Sequence, residues 1–433
     1  MGSRPSEDRY KGNLPFSSGL LIGRRGDVMR YYIGVDWADT AHAIWVEDEQ
    51  GERVLTRAVP HTAEGFAEWG RWLDEQRASG IALWAAIERP DGRVVDFLLD
   101  HGVVVFPVNP KALDRARDRF RMSQSKSDPF DARVLAVFLR TDHAHLQALQ
   151  PSSEAAQELK LLARDYARLV REQTRLLNQL TVTLKEYYPR ALELCPDLTT
   201  QRAWALLRAY PTPMALAAVT AEQWQEFVRP HRWTADQATA LWDLCRQPQL
   251  PVPAHVVRAK SRLVGALVTQ LEAAVTAVDA YREAVTDFFA QLPAAEWATT
   301  LPAGHGILVP TIWAELGDVG GRWASWQHLQ GHSGVVPVTV RSGKAQCVQF
   351  RFACNRRLRT TLHLFALCSL TRSEWARAYY DRQRGRGHRH HEALRALAAK
   401  WLKIIFVLWQ RQTPYREEYH LATMARQHLR QVA

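Results

Sequence analysis

Two hydrophobic rhythms divide the chain. From residue 29 to about 150, short apolar runs alternate with turn-forming residues, whereas from 153 onward apolar residues return every three or four positions. In the first part, 31–35 predicts a buried strand ending in Asp36, 41–47 and 53–59 predict two more strands joined by hairpin turns, and 62–76 predicts an amphipathic helix. A fourth strand is expected at 81–87 with Glu88 at its end. A helix near 92–99, a fifth strand at 103–108 and a closing helix over 128–139 complete this part. Residues 1–28 lack either rhythm and are expected to be a disordered leader.

The second rhythm is helical. A helix over 153–188 carries seam positions from Leu162 through Leu176 and Leu184 to Tyr187. A second helix steps through Val264, Leu267, Leu271, Ala274, Val278, Tyr281, Val285, Phe288 and Leu292 without a break. A seam kept this long predicts a two-stranded antiparallel coiled-coil stalk at 151–298 that also offers a dimer surface; the plainer reading is a pair of core-facing helices. Between them, 189–253 carries several Pro and Trp residues and is expected to be a small helical insertion at the stalk tip. The last part, 299–433, is expected to be mainly helical, with helices at 308–316, 325–331, 355–370 and 392–408. It also holds a short hairpin with arms 335–340 and 346–352 and a turn at Arg341-Ser342-Gly343-Lys344.

Composition narrows the class. With 433 residues, 47% hydrophobic and 23% charged, the chain is globular and too long for one core, so two or three domains are expected. No run of 18 apolar residues and no signal-peptide pattern occurs, so a cytoplasmic, nucleoid-associated protein with no membrane partner is expected. Five cysteines without a CxxC pair signal neither a zinc knuckle nor a disulfide framework. The net charge of +11 belongs to one end: 20 Lys and Arg face 7 Asp and Glu from Leu301 onward, against 36 and 38 before it. Such a local excess fits a phosphate-backbone binder, or more simply a solvated basic face. Within it, Arg382, Arg384, Arg386 and Arg389 with His388, His390 and His391 read as a Gly-interrupted basic loop.

Candidate chemistry starts at KSDPFDAR, 126–133, where Asp128 and Asp131 share one face of a helix start. The ordinary reading makes Asp128 an N-cap and Asp131 a first-turn acid. The element order is that of an α/β, RNase H-like mixed sheet, placed at 29–150, in which the ends of the first and fourth strands are neighbours. Asp36, Glu88, Asp128 and Asp131 would then converge. Four crowded carboxylates are unfavourable alone and favourable with Mg²⁺ or Mn²⁺, which suits phosphodiester transfer. Taken singly, Asp36 reads more readily as a turn residue and Glu88 as a surface acid; it is the four together that point to a metal site. In LPAGHGI, 301–307, two glycines fit a tight turn approaching a phosphate. Ser342 reads first as a turn residue, and its neighbours Arg341 and Lys344 make it a candidate nucleophile beside a phosphate.

IGVDWADTAH (33–42), AIERP (86–90), KSDPFDARVLA (126–136), LPAGHGI, HSGVVPVTVRSGK (332–344) and NRRLRTTLHLFA (355–366) together resemble the DEDD transposases of bacterial insertion sequences, the bridge-RNA-guided recombinases. The resemblance implies an RNase H-like domain with metal-binding acids at Asp36, Glu88, Asp128 and Asp131, and a nucleophilic serine at Ser342. It also implies double-stranded DNA and a noncoding bridge RNA as partners, and a homo-oligomer, a dimer or a tetramer of two dimers, in which acids and serine come from different subunits. Arg341, Lys344, Arg356, Arg357 and Arg359 are the nucleic-acid contacts expected on the basic half. The chain departs from the family at Ser127 where Thr is usual, at the turn Pro302-Ala303-Gly304, and at Cys354 where Gly is usual. The function expected is an insertion-sequence transposase that cuts and rejoins DNA through a phosphoserine link. A structure-selective nuclease using water, and a non-catalytic nucleic-acid-binding protein, are the alternatives.

Overall fold

In the computed structural model the described residues are 29–422 without 91, 121–126, 232, 250, 343 and 344. The expected leader, 1–28, lies outside them. Contacts divide the chain into two units, Met1–Pro151 and Ser152–Ala433.

In the first unit, β1 (Arg30–Asp36), β2 (Ala41–Glu47) and β3 (Arg53–Pro60) precede α1 (Ala63–Ala78), which Thr62 caps by accepting from the Gly65 amide. β4 (Ala82–Ile87), α2 (Arg93–Asp100), β5 (Val104–Pro107), α3 (Pro110–Asp118) and α4 (Asp128–Asp142) follow. The five strands form one sheet in the order β3-β2-β1-β4-β5, with β1–β2 and β2–β3 antiparallel and β1–β4 and β4–β5 parallel. A central strand covered on both faces must be apolar on both, and β1 is. Ile33 and Val35 pack with Trp69, Leu73, Val94 and Leu98 of α1 and α2, while Tyr32 packs with Leu113, Ala116, Leu135 and Leu139 of α3 and α4. Period-two alternation assigns these residues to opposite faces.

Gly34 is where α4 meets the sheet. A Cβ at this position would stand 1.8 Å from the Ala132 carbonyl oxygen and 2.7 Å from the Ala136 amide nitrogen, so only hydrogen allows the approach. The helix α3 is an element that periodicity did not predict.

In the second unit, α5 (Glu154–Tyr187) leads into α6 (Arg190–Leu194), α7 (Gln201–Ala209), α8 (Pro213–Ala217), α9 (Ala221–Val228) and α10 (Ala235–Arg246), and α11 (Ala254–Ala290) returns. The two long helices run antiparallel. Leu176, Leu180 and Leu184 share a core with Val264, Leu267 and Leu271, whereas Ala156, Leu159 and Ala163 share another with Val285 and Phe289. The α11 seam is thus covered within one chain, with Val278 2% exposed. By length and composition α11 is the one described helix apolar enough to cross a membrane, a test that a soluble core helix also passes.

The remaining elements are α12 (Ala295–Ala298), α13 (Leu308–Leu316), α14 (Trp326–Ser333), β6 (Val338–Ser342), β7 (Ala345–Gln349), α15 (Arg356–Ser369), α16 (Glu374–Gly385) and α17 (His390–Arg411). Two expectations need correction here. Ser342 pairs with Ala345 at the end of β6, so the backbone of Ser342 belongs to a strand and not to a four-residue turn. Arg382 and Arg384 lie on α16 and His390 and His391 start α17, so the basic loop is reduced to the short connection between two helices.

Candidate active site

Parallel pairing of β1 with β4 brings Val35 opposite Ile87, so Asp36 and Glu88 follow at the same edge of the sheet. The first turn of α4 supplies Asp128, exposed, and Asp131, which is 6% exposed. Ser127, not Asp128, is the N-cap of α4, and its side chain makes no capping bond. The cap reading of Asp128 therefore fails. Asp36 is half-buried, and its carboxyl is pushed up to about 6 by burial first and then by the charges of Asp131, Asp128 and Glu88, with Arg117 working the other way. The other three acids thus all act on Asp36.

Arg117, from the unforeseen α3, donates from Nε to Asp131 Oδ1 at 2.7 Å and from Nη2 to Oδ2 at 2.8 Å. Asn109-Pro110 ahead of Leu113 and Ala116, a cap followed by proline at the first helical turn, was the sequence signal for this helix. The loops after β1 and β4 are tied together as well. The Arg89 guanidinium lies 4.5 Å above the Trp37 ring, and Trp37 stacks on His42 with centroids 6.3 Å apart. His42, fully buried, accepts from the Ala38 amide at Nδ1 (3.4 Å), which leaves its proton on Nε2 to donate to His61 Nδ1 at 2.9 Å. Burial, then His61, keeps the His42 pKa below its ordinary value.

Among the described residues, no three His, Cys, Asp or Glu side chains already form a cage for an ion. One reason is local: both Asp131 oxygens face Arg117. The donor set nonetheless fits a hard divalent cation, because four carboxylates whose repulsion raises Asp36 are the ligands such an ion prefers.

In the second unit, the side chain of Ser342 and all of Lys344 lie outside the described residues. Arg341 is exposed on β6, and Arg356 and Arg357 are exposed on the first turn of α15. Arg359 points back to the hairpin base, donating to the Arg351 carbonyl at 3.1 Å and lying 4.6 Å from the Phe350 ring. Val340, Val348 and Phe352 leave the hairpin apolar and exposed, Phe352 at 73%. Beneath it, Asn355 caps α15 and donates to Glu315 Oε2 at 2.7 Å, Arg164 donates to Glu315 Oε1 at 3.4 Å, and the Asn355 amide bonds the His332 carbonyl at 2.7 Å. Burial drives the His332 imidazole down to about 4.

The LPAGHGI turn packs on its own backbone. A Cβ on Gly304 would meet the Thr299 carbonyl oxygen at 2.1 Å, and Ala303 holds φ of 63°, a left-handed conformation that favours glycine. Cys354 fills the space over Gly334, where a Cβ would lie 2.5 Å from Sγ.

A DEDD-type transposase family model matches residues 33–189, and a model of the IS116/IS110/IS902 transposase family matches residues 295–381. The chain is thus a DNA transposase/recombinase. A mini-circle protein of Streptomyces coelicolor, named as a candidate transposase for IS117, is 32% identical over 388 residues, covering 87% of this chain and 93% of the relative. A candidate transposase of Sinorhizobium fredii is 36% identical over 53% of this chain and 67% of its own length. The 42 kDa protein of insertion element IS900 from Mycobacterium paratuberculosis is 27% identical over 89% and 96%. The chain belongs to the IS110 family of DEDD transposases.

Proposed function

We propose that this transposase cuts and rejoins insertion-sequence DNA through a phosphoserine link, with Asp36, Glu88, Asp128 and Asp131 as the ion site of an RNase H-like domain and Ser342 as nucleophile. The observation that carries the reading is the seating of α4 on Gly34, two residues before Asp36, which sets the α4 acids against the end of β1. Mg²⁺ or Mn²⁺ bound by these carboxylates would supply Lewis-acid stabilisation of the scissile phosphate.

The chain's own groups carry the bond changes. The Ser342 hydroxyl oxygen bonds to phosphorus and the bond from phosphorus to one sugar oxygen breaks. The sugar leaves as a free hydroxyl, having gained a proton, and the serine proton passes to water. The phosphodiester is retained on the protein, so the hydroxyl of a new DNA end reverses the step without ATP. Arg341, Lys344, Arg356 and Arg357 hold backbone phosphates, and Arg359 keeps the hairpin in shape. A bridge RNA pairs with target and donor DNA, and a homo-oligomer, a dimer or a pair of dimers, supplies acids and serine from different subunits. The long helices act as its coiled-coil stalk, and the protein works in the cytoplasm on the nucleoid.

Denaturing gels of reactions on labelled DNA test this. Wild type is expected to give a covalent protein–DNA adduct that Ser342→Ala lacks. Cleavage by Ser342→Ala, with no adduct from wild type, would establish the water-using nuclease instead. Strand exchange that survives Asp36→Asn and Asp131→Asn under Mg²⁺ would remove the acids from the chemistry altogether.

A further inference from the structure

Arg117 sits inside the acid cluster with both prongs engaged. Its guanidinium meets Asp131 edge to edge, 2.7 and 2.8 Å apart, with the two side chains only 16% and 8% exposed. A forked pair of this kind takes the facing lone pair of each carboxylate oxygen. Nη1, the remaining nitrogen, holds Asp114 one turn earlier on α3, and that carboxylate is 64% exposed. Arg117 therefore has one partner in the cluster and another at the solvent edge. Its charge is also the one that relieves Asp36, against the three acids that press on it.

A hard divalent ion and a guanidinium compete for the same Asp131 oxygens. Four acids with neither cation would repel one another in a half-buried site, which is costly. We propose that Arg117 is a built-in counter-ion: it pairs with Asp131 while no divalent ion is bound, yields Asp131 when an ion enters, and falls back on Asp114. This rests on the acids being a divalent-ion site. Exchange of one cation for another protects the ion-free fold and lowers the affinity for the ion. Arg117 is accordingly a positioning residue, acting through Asp131.

The test uses the full chain as wild type, Arg117→Gln, Arg117→Lys and Asp36→Asn. Mn²⁺ binding is followed by the electron paramagnetic resonance signal of the free ion, and thermal unfolding is measured with and without Mg²⁺. Arg117→Gln is expected to bind Mn²⁺ on the order of tenfold more tightly than wild type, the worth of the charge-assisted bonds the ion no longer displaces. Without ions it should unfold at a lower temperature than wild type, and Mg²⁺ should close most of the gap. Arg117→Lys keeps the charge but loses the fork, and its affinity should fall between the two. Equal or weaker Mn²⁺ binding by Arg117→Gln, with binding abolished by Asp36→Asn, overturns the counter-ion role and leaves the acid site intact. A wild type that binds no Mn²⁺, or binding indifferent to Asp36→Asn, overturns both readings. If Arg117→Gln does not fold, Arg117→Lys decides, and an affinity no higher than wild type refutes the exchange.

Discussion

The acids and the serine hairpin are supported in opposite ways. Asp36 ends the central strand of a sheet covered on both faces, and the helix bearing Asp128 and Asp131 touches that strand with no space for a methyl group. Ser342 ends one strand of a two-stranded ribbon whose residues Val340 and Val348 face solvent. An isolated two-stranded ribbon is marginal in water, and here the described contacts that tie it down gather at its base, among them Asn355 with Glu315, Arg359 with the Arg351 carbonyl and Arg395 over Phe350. The fold thus spends its rigidity on the acids and leaves the arm that carries Ser342 open.

That contrast can be broken at either end. Gly34→Ala should be the most damaging change, costing about 3 kcal/mol as α4 is forced off β1; a melting temperature equal to wild type would mean that the seating is not what holds the acids. The hairpin's footing should respond to acid. Because burial holds His332 near 4 against an ordinary 6.5, the unfolded chain takes up a proton that the folded one refuses between those values. Stability from this group is therefore complete above about pH 6.5 and is lost toward pH 4, by about 2 kcal/mol after discounting residual solvent contact. His332→Gln should flatten that part of a denaturation profile, and an unchanged slope would exclude His332 as its source.

Two smaller effects sharpen the comparison. Ala303→Gly should stabilise the second unit by about 0.5–1 kcal/mol by relieving the left-handed backbone, measurable by urea titration; a loss of stability would show that Ala303 contributes more by packing. Phe352→Ser should leave the unfolding free energy within about 0.5 kcal/mol of wild type while weakening DNA strand exchange. A drop in stability comparable to that of Gly34→Ala would show that the hairpin is buried after all.

The first unit was readable because its strands are short, apolar and punctuated, and because an acid directly follows the last apolar residue of β1 and of β4. Its missing piece, α3, has only nine residues, mostly charged, with Leu113 its one large apolar side chain, so the run reads as a polar connection. Arg117 was missed with it: a salt bridge across fourteen residues leaves no local pattern. In the second unit the long seam was plain, but α16, with Arg and Gly near its end, reads like a basic loop until Trp375 and Ala376 are seen packed under it. The hairpin's arms were placed one to three residues off their true bounds, since alternation in VVPVTVRSGKAQCVQF continues past both ends of the true ladder. The close approach at Gly34 could not be read at all, because nothing in a β1 glycine tells which backbone comes near it.

One feature sets a length scale. At 1.5 Å per residue the 37 residues of α11 span about 55 Å, with the α6–α10 helices at one end and the core under the hairpin at the other. That is roughly one and a half turns of B-form duplex, whose turn is about 34–36 Å. A duplex gripped at both ends of this rod would be held at a fixed number of base pairs, and because a base pair also turns the duplex by a fixed angle, the rod would then set which side of the double helix each end faces.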